Sequence, residues 1–282
     1  LRLAGLLAGH PRLVTSLRTR IAGFWSRTWQ WTERVLWRAS RVIVSNSAAA
    51  AEEAEAVLGI PRARLCVIEN GVDIRRFKPA PDVAAAKRAL GMSESARVVG
   101  MVARYSPVKE HRTLLQAVHM LRREGRWPAQ AKLLLVGGTT FAEARAEVER
   151  WVLEWDLAPV VEVRGVTPAI ESVYHALDVL VLPSKYEGFP NTVLEAMACG
   201  VPVIVSEAAN AAGVVLEGET GWVFPTGDAL ALSRRLESAL TMAADARQRL
   251  GNFARARVEQ HYSLQVMVDR YQQLYAELME SA

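Results

Sequence analysis

The stretch Pro183-Ser184-Lys185-Tyr186-Glu187-Gly188-Phe189-Pro190-Asn191-Thr192-Val193-Leu194-Glu195-Ala196-Met197-Ala198-Cys199-Gly200-Val201-Pro202 decides how the rest of the chain is read. The apolar run Val179–Leu182 leads into it as a buried strand. A loop punctuated by Gly188 and Pro190 follows. A short helix is then expected over Thr192–Ala198, closed by Gly200, and Val203–Val205 opens another strand. Strand, loop, helix, strand is the repeating unit of a parallel α/β sheet. Ligands of such sheets sit at the carboxyl ends of strands, where this loop lies.

Two carboxylates, Glu187 and Glu195, flank the loop. One reading makes them an acid and a base, as in glycoside hydrolysis. Gly188 and Pro190 break the chain between them, so spacing alone sets no distance. The reading that fits better places Pro190 ahead of the helix with Asn191 as its N-cap. The amides of Thr192, Val193 and Leu194 then point outward with the positive end of the helix dipole, a site for phosphate. Glu195 suits the two hydroxyls of a ribose and Glu187 those of a sugar. The plainer alternative leaves Glu195 complementing the dipole and Glu187 in solvent.

Outward from this stretch the pattern repeats. Strands are expected at Val98–Val102, Leu133–Val136 and Val160–Val163, with helices at Arg112–Arg123, Glu143–Trp155 and Ile170–Leu177 between and after them. A short strand at Trp222–Phe224 and helices at Asp228–Ala239, Ala243–His261 and Ser263–Leu278 complete the chain. Upstream, Val42–Ser45 and Leu65–Ile68 read as strands around a helix at Ala48–Leu58, and Arg75–Asp82 as a linker. Arg104 and Lys109 follow a strand, where two cations would neutralise a diphosphate; solvated loop cations are the ordinary alternative. Arg164, Gly165 and Val166 end another strand and could lie against a nucleobase, or form a plain βα turn. Asp178 reads as a turn carboxylate without chemistry.

The 282 residues, 51% of them hydrophobic, suffice for roughly two domains with their own cores. The net charge of +4 is concentrated at the front: residues 1–41 hold eight arginines against Glu33 as their acid. The first forty residues are also rich in Trp and read as helices. Their Arg/Trp face admits an anionic membrane surface, or else packs Trp inward with Arg in solvent. Cys66 and Cys199 are isolated and read as reduced packing residues. No GxGxxG, P-loop, HExxH, Asp-X-Asp or nucleophile-elbow pattern occurs, so no metal or resident cofactor is expected, nor a nucleic-acid partner. No apolar run reaches membrane-spanning length. Leu1 opens the chain inside a helical pattern, so an N-terminal truncation or fragment is expected, with processing as an alternative of the same appearance.

Taken together these motifs resemble the retaining glycosyltransferases of family 4, glycosyl transferases group 1, which have the GT-B fold. The Glu187…Glu195 stretch matches the family's EX7E signature almost throughout. Gly100-Met101-Val102-Ala103-Arg104 with Lys109 is similar to its phosphate-binding segment, and Leu133–Gly137 to its LLLVG strand. The resemblance implies an α/β architecture: a doubly wound Rossmann-like C-terminal domain plus the remnant of a second Rossmann-like N-terminal domain. The expected division is residues 1–78, a donor domain at 79–262, and a helix at 263–282 crossing back to the N-terminal domain. It implies a nucleotide-diphosphate sugar as donor and a sugar or lipid-linked acceptor; apart from the resemblance, the isolated cysteines suit a reducing, cytoplasmic setting and the Arg/Trp segment a peripheral place at the membrane. Arg104 and Lys109 would bind the donor diphosphate, Glu187 the transferred sugar and Glu195 the ribose. Arg164, Gly165, Val166, Gly188, Phe189, Pro190, Asn191 and Thr192 would line the donor. The turn Glu207-Ala208-Ala209-Asn210 departs from the family's Gly-rich turn. A nucleotide-sugar binding module without catalysis, and an epimerase or phosphorylase on the same scaffold, are the rival readings.

Overall fold

The computed structural model describes residues 13–18, 21, 26–139 and 142–280. The chain divides into two compact units. Unit 1 comprises the described residues up to Gly71, Glu187–Phe189, and those from Tyr262 on; unit 2 comprises Val72–Tyr186 and Pro190–His261.

Unit 1 contains strands β1 (Val14–Leu17), β2 (Val42–Ser45) and β3 (Leu65–Val67), helices α1 (Arg27–Leu36) and α2 (Ala48–Leu58), and the C-terminal helix Leu264–Glu280. The strands form a parallel sheet in the order β1-β2-β3, with Val14 opposite Val42 and Ile43 opposite Leu65. β1 corrects the helical reading at Val14–Leu17, while α1 agrees with it at Arg27–Leu36. Val14 and Thr15 are β-branched, and pairing along β2 decides their state more than the surrounding Arg/Trp composition does. The helical expectation at Leu3, Leu6, Leu7 and Trp25 lies outside the described residues. Side chains alternate across the sheet. Ile43 packs with Leu17, Ile21, Ala54, Leu58 and Ile60 on one face, while Val44 packs with Ile68 and Leu274 of the C-terminal helix on the other. Ser47 caps α2 by accepting from the Ala50 amide at 3.2 Å, and Gly59 ends it in the left-handed region at φ 67°.

Unit 2 contains α3 (Val83–Ala89), β4 (Arg97–Val102), α4 (His111–Arg123), β5 (Ala131–Val136), α5 (Ala142–Glu154), β6 (Val161–Arg164), α6 (Ile170–Ala176), β7 (Val179–Leu182), α7 (Asn191–Ala198), β8 (Val203–Ser206), β9 (Gly221–Phe224), α8 (Ala229–Thr241) and α9 (Ala244–His261). Its six strands are all parallel in the order β6-β5-β4-β7-β8-β9. From β4 the chain winds one way through β5 and β6, then returns to β4's other side as β7. That reversal is a topological switch point, and it opens a crevice beyond the carboxyl ends of β4 and β7. Strands buried on both faces give the continuous apolar runs seen in the sequence, with Leu133, Leu134 and Leu135 fully buried. α3 had no counterpart in the sequence reading. Its seven residues are too few for an apolar period to show, and Asp82 caps it through the Ala85 amide at 2.9 Å.

At the opposite, amino-terminal end of the sheet Asp178 is more than a turn carboxylate. It is 7% exposed and accepts from the Val98 amide at 2.8 Å. It also faces Lys87 Nζ at 2.8 Å, Arg247 Nη2 at 3.2 Å and Arg97 Nη1 at 3.5 Å. One buried carboxylate thereby ties α3, β4 and α9 to the start of β7.

Candidate functional site

The switch-point crevice is walled by the loops that follow β4 and β7, and the loops after β5 and β6 continue it. Arg104 follows β4 after Ala103 and is exposed. Lys109 closes a 3₁₀ turn, Pro107–Lys109, and is half-buried. The expected helix start at Arg112 is met at His111. Between the two, Glu110 takes the left-handed conformation at φ 55°, an unfavourable state for a side chain other than Gly or Asn. Its carboxylate has fixed partners: Thr113 Oγ1 donates at 2.6 Å and Lys185 Nζ lies at 2.8 Å. The Lys185 amide also donates to the Val108 carbonyl at 2.9 Å. The loop after β7 is therefore bonded twice to the segment that carries Lys109. The sequence showed no sign of this link, because its partners lie on separate loops.

His111 is buried beside Lys109 and packs on the Tyr105 ring, centroids 5.0 Å apart. Burial pushes its imidazole down to about 4; the Lys109 charge acts in the same direction, and Glu110 opposes it. Tyr105 stitches three loops together. Its amide donates to the Gly138 carbonyl at 2.8 Å, and its hydroxyl shares its one proton between the carbonyls of Arg164 (2.7 Å) and Leu135 (3.0 Å). Gly137 lies so close to the loop after β4 that a Cβ there would stand 1.9 Å from the Ala103 carbonyl oxygen. Glycine is required at that crossing.

At the end of β6, Gly165 is half-buried and Val166 is 79% exposed, with Gly138 beside the Val166 side chain. Arg164 is fixed through the edge of its guanidinium. Its guanidinium donates to Glu162 at 2.6 Å and to the Leu90 carbonyl at 2.7 Å.

The helix start differs from expectation by one residue. α7 begins at Asn191, and Pro190 occupies the cap at φ −86°, ψ 75° without a side-chain capping bond. Asn191 is therefore the first helical residue and not the N-cap. The amides of Val193 and Leu194 both donate to the Pro190 carbonyl, at 3.0 and 3.2 Å. They are not the outward-pointing donors expected; Thr192 precedes that closure and is half-buried.

Glu195 lies one turn into α7, half-buried. Its Oε2 accepts from the hydroxyl of Tyr174, on α6, at 2.6 Å. Burial pushes the Glu195 carboxyl above the usual carboxylate range, while the Tyr174 hydrogen bond and the Arg76 charge pull it back. Burial and Glu195 together hold the Tyr174 phenol well above its ordinary value. Glu187, Gly188 and Phe189 group with unit 1, where the Phe189 ring lies 6.0 Å from that of Tyr262. Tyr105, Tyr174, Glu110 and Lys185 were absent from the sequence-based site. A tyrosine next to Arg104, and another in the helix before the signature strand, were the signals available for the first two.

The family described as Glycosyl transferases group 1 matches residues 82–257, and Glycosyltransferase Family 4 matches residues 1–76. A D-inositol 3-phosphate glycosyltransferase of Kribbella flavida is 32% identical over 199 residues, 68% of this chain and 46% of that protein. The chain spans about half the length of the curated relatives it matches. Among solved structures, Anabaena HepE in complex with UDP and glucose superposes with a TM-score of 0.85 at 25% identity, covering 100% of this chain and 74% of the other. The sucrose-phosphate synthase of Thermosynechococcus elongatus superposes with a TM-score of 0.86, also at 25% identity, over 100% and 73%. Both bear out the α/β GT-B architecture.

Proposed function

This chain belongs to the glycosyl transferases group 1 family, and from that premise we propose that it holds a nucleotide-diphosphate sugar and serves its transfer, with retention, to a sugar or lipid-linked acceptor. The observation that carries the reading is the crevice at the β4/β7 switch point. Arg104 and Lys109 stand on one wall of it, and Lys185 bonds that wall to the loop leading into α7. The complexes of HepE with UDP and glucose, and with UDP-glucose, support a nucleotide-sugar ligand for this scaffold.

In the proposed step the bond between the anomeric carbon and the β-phosphate oxygen breaks. The acceptor hydroxyl oxygen bonds to the same face of that carbon, and its proton passes to the departing diphosphate. Arg104 and Lys109 offset the charge that develops on the leaving group, the kind of interaction that usually dominates catalysis. The dipole at the start of α7 adds to it. Glu195 accepts from the ribose and Glu187 from the transferred sugar. Gly165 and Val166 flank the base.

Calorimetry of the 282-residue chain with UDP, GDP and ADP tests the clamp. At least one should bind, and Lys109→Ala should weaken that binding about tenfold or more, the scale of a lost charge-assisted hydrogen bond. Unchanged affinity in that variant rejects the assignment.

An anionic membrane surface is a second proposed partner. α1 has no buried residue, and it exposes Trp29 (61%) and Trp31 (65%) beside Arg27. Aromatic rings with basic side chains suit the boundary of anionic lipid. Cosedimentation with phosphatidylglycerol vesicles but not phosphatidylcholine vesicles is expected; equal retention by both removes the idea. No described helix is long and apolar enough to cross a membrane.

A further inference from the structure

We propose that Tyr174 is a positioning residue for donor binding: its buried hydroxyl fixes one oxygen of Glu195 and leaves the other to accept from the ribose. The inference rests on the ribose reading of Glu195. A carboxylate at the end of a Glu side chain turns about a broad, roughly two-fold torsion. A single strong donor on one oxygen removes that freedom before the nucleotide arrives, which is how a site is organised ahead of its ligand.

Tyr174 is built to be such a donor. It is fully buried, and its hydroxyl meets Glu195 Oε2 at 2.6 Å. Phe77 packs edge-on against its ring at 5.8 Å. The short helix α6 is itself held in place. Arg76 donates to Glu171 at 3.0 and 3.3 Å, and His175 Nε2 meets the Lys78 carbonyl at 2.9 Å. Arg255 closes the other side by donating to the Phe77 carbonyl at 3.4 Å and to the Ala198 carbonyl at the end of α7. The segment Arg76–Lys78 thus locks α6 and, through Arg255, α7, and the phenol bridges the two helices directly.

A phenol that merely satisfies its own hydroxyl would leave nucleotide selectivity alone, and that separates the two roles. The ionisable groups around the pair are Arg76, Glu171, Cys199 and Arg255; burial pushes the Cys199 thiol up to about 12, so it stays neutral. The phenol's hydrogen bond lowers the Glu195 carboxyl. Its removal therefore lets Glu195 protonate at higher pH.

The test uses the 282-residue chain, the tightest binder among UDP, GDP and ADP, and the 2′,3′-dideoxy form of that nucleotide. Wild type should prefer the ribonucleotide. Tyr174→Phe should weaken the ribonucleotide about tenfold, leave the dideoxy form unchanged, and move the acid limb of ribonucleotide binding to higher pH. Glu195→Gln combined with Tyr174→Phe should be no worse than Glu195→Gln alone. Melting temperatures of the variants accompany each titration. Should Tyr174→Phe fail to fold, replacing Tyr174 with 3-fluorotyrosine, which keeps the ring and alters the strength of its hydroxyl as a donor, still decides: ribonucleotide affinity must change while that of the dideoxy form does not, and unaltered selectivity overturns the positioning role. Equal weakening of both nucleotides by Tyr174→Phe, or unaltered selectivity, overturns the positioning role while Glu195→Gln still loses selectivity. Selectivity retained in Glu195→Gln overturns the ribose reading itself.

Discussion

Asp178→Ala removes the acceptor that Lys87, Arg97, Arg247 and the Val98 amide share. Lys87 is 5% exposed and cannot turn to water. Removing one partner of a buried ion pair costs about 3–5 kcal/mol. The orphaned Val98 amide belongs to the same loss, as does Arg247, 19% exposed with its Nη1 buried, while Arg97, 26% exposed, can relax outward. Lys87 keeps the Ala96 carbonyl, 2.6 Å away, which softens the penalty. The expected destabilisation is about 4 kcal/mol, a large part of the roughly 5–15 kcal/mol that holds a domain folded. With a urea dependence of about 2.5 kcal/mol per molar, the unfolding midpoint should fall by about 1.6 M. Equilibrium unfolding in urea, followed by tryptophan fluorescence, reads it. Asp178→Leu combined with Lys87→Met should recover at least half, because exchanging both charges for apolar groups removes the desolvation cost with the attraction. A midpoint shift below about 0.4 M in Asp178→Ala would refute the claim that this carboxylate anchors the unit.

Two further outcomes concern the crevice. Gly137→Ala should cost about 1–3 kcal/mol and weaken nucleotide binding, because its new methyl must displace the Ala103 carbonyl beside Arg104; wild-type melting and affinity would contradict it. His111, held down to about 4 mainly by burial, takes up its proton more readily when unfolded. The stability it contributes is full above about 6.5 and drains as pH falls toward 4, roughly 3 kcal/mol over that window. His111→Leu should flatten that acid limb in pH-dependent melting, and an unchanged limb would assign it to other groups.

Much of unit 2 was legible because its central strands are buried on both faces and the βα loops carry their own breakers. Leu133–Val136, Val179–Leu182 and Val203–Val205 announce themselves as apolar runs. β1 did not, because Val14–Leu17 is a strand by virtue of lying along Val42–Ser45, and pairing of that kind leaves no local period. The start of α7 moved because Pro190 takes the cap position through its backbone, which makes Asn191 the first helical residue. The signature stretch named the carboxylates, yet their surroundings depend on distant residues. A tyrosine on the helix before the signature strand is visible in the sequence, but its bond to Glu195 is not. Likewise nothing in the sequence points to the bonds that Arg164 makes to Glu162 and the Leu90 carbonyl.

The stitching of the loops after β4, β5 and β6 also governs how this scaffold accepts exchange with its relatives. Gly137 admits one backbone geometry at Ala103, and a single phenol, that of Tyr105, spans the carbonyls of Leu135 and Arg164. A graft that replaced one of these loops would break bonds owned by the other two. Chimeras intended to alter nucleotide preference therefore succeed only when residues 103–105, 135–138 and 164–166 travel as one cassette; swapped singly, each segment arrives without its complement.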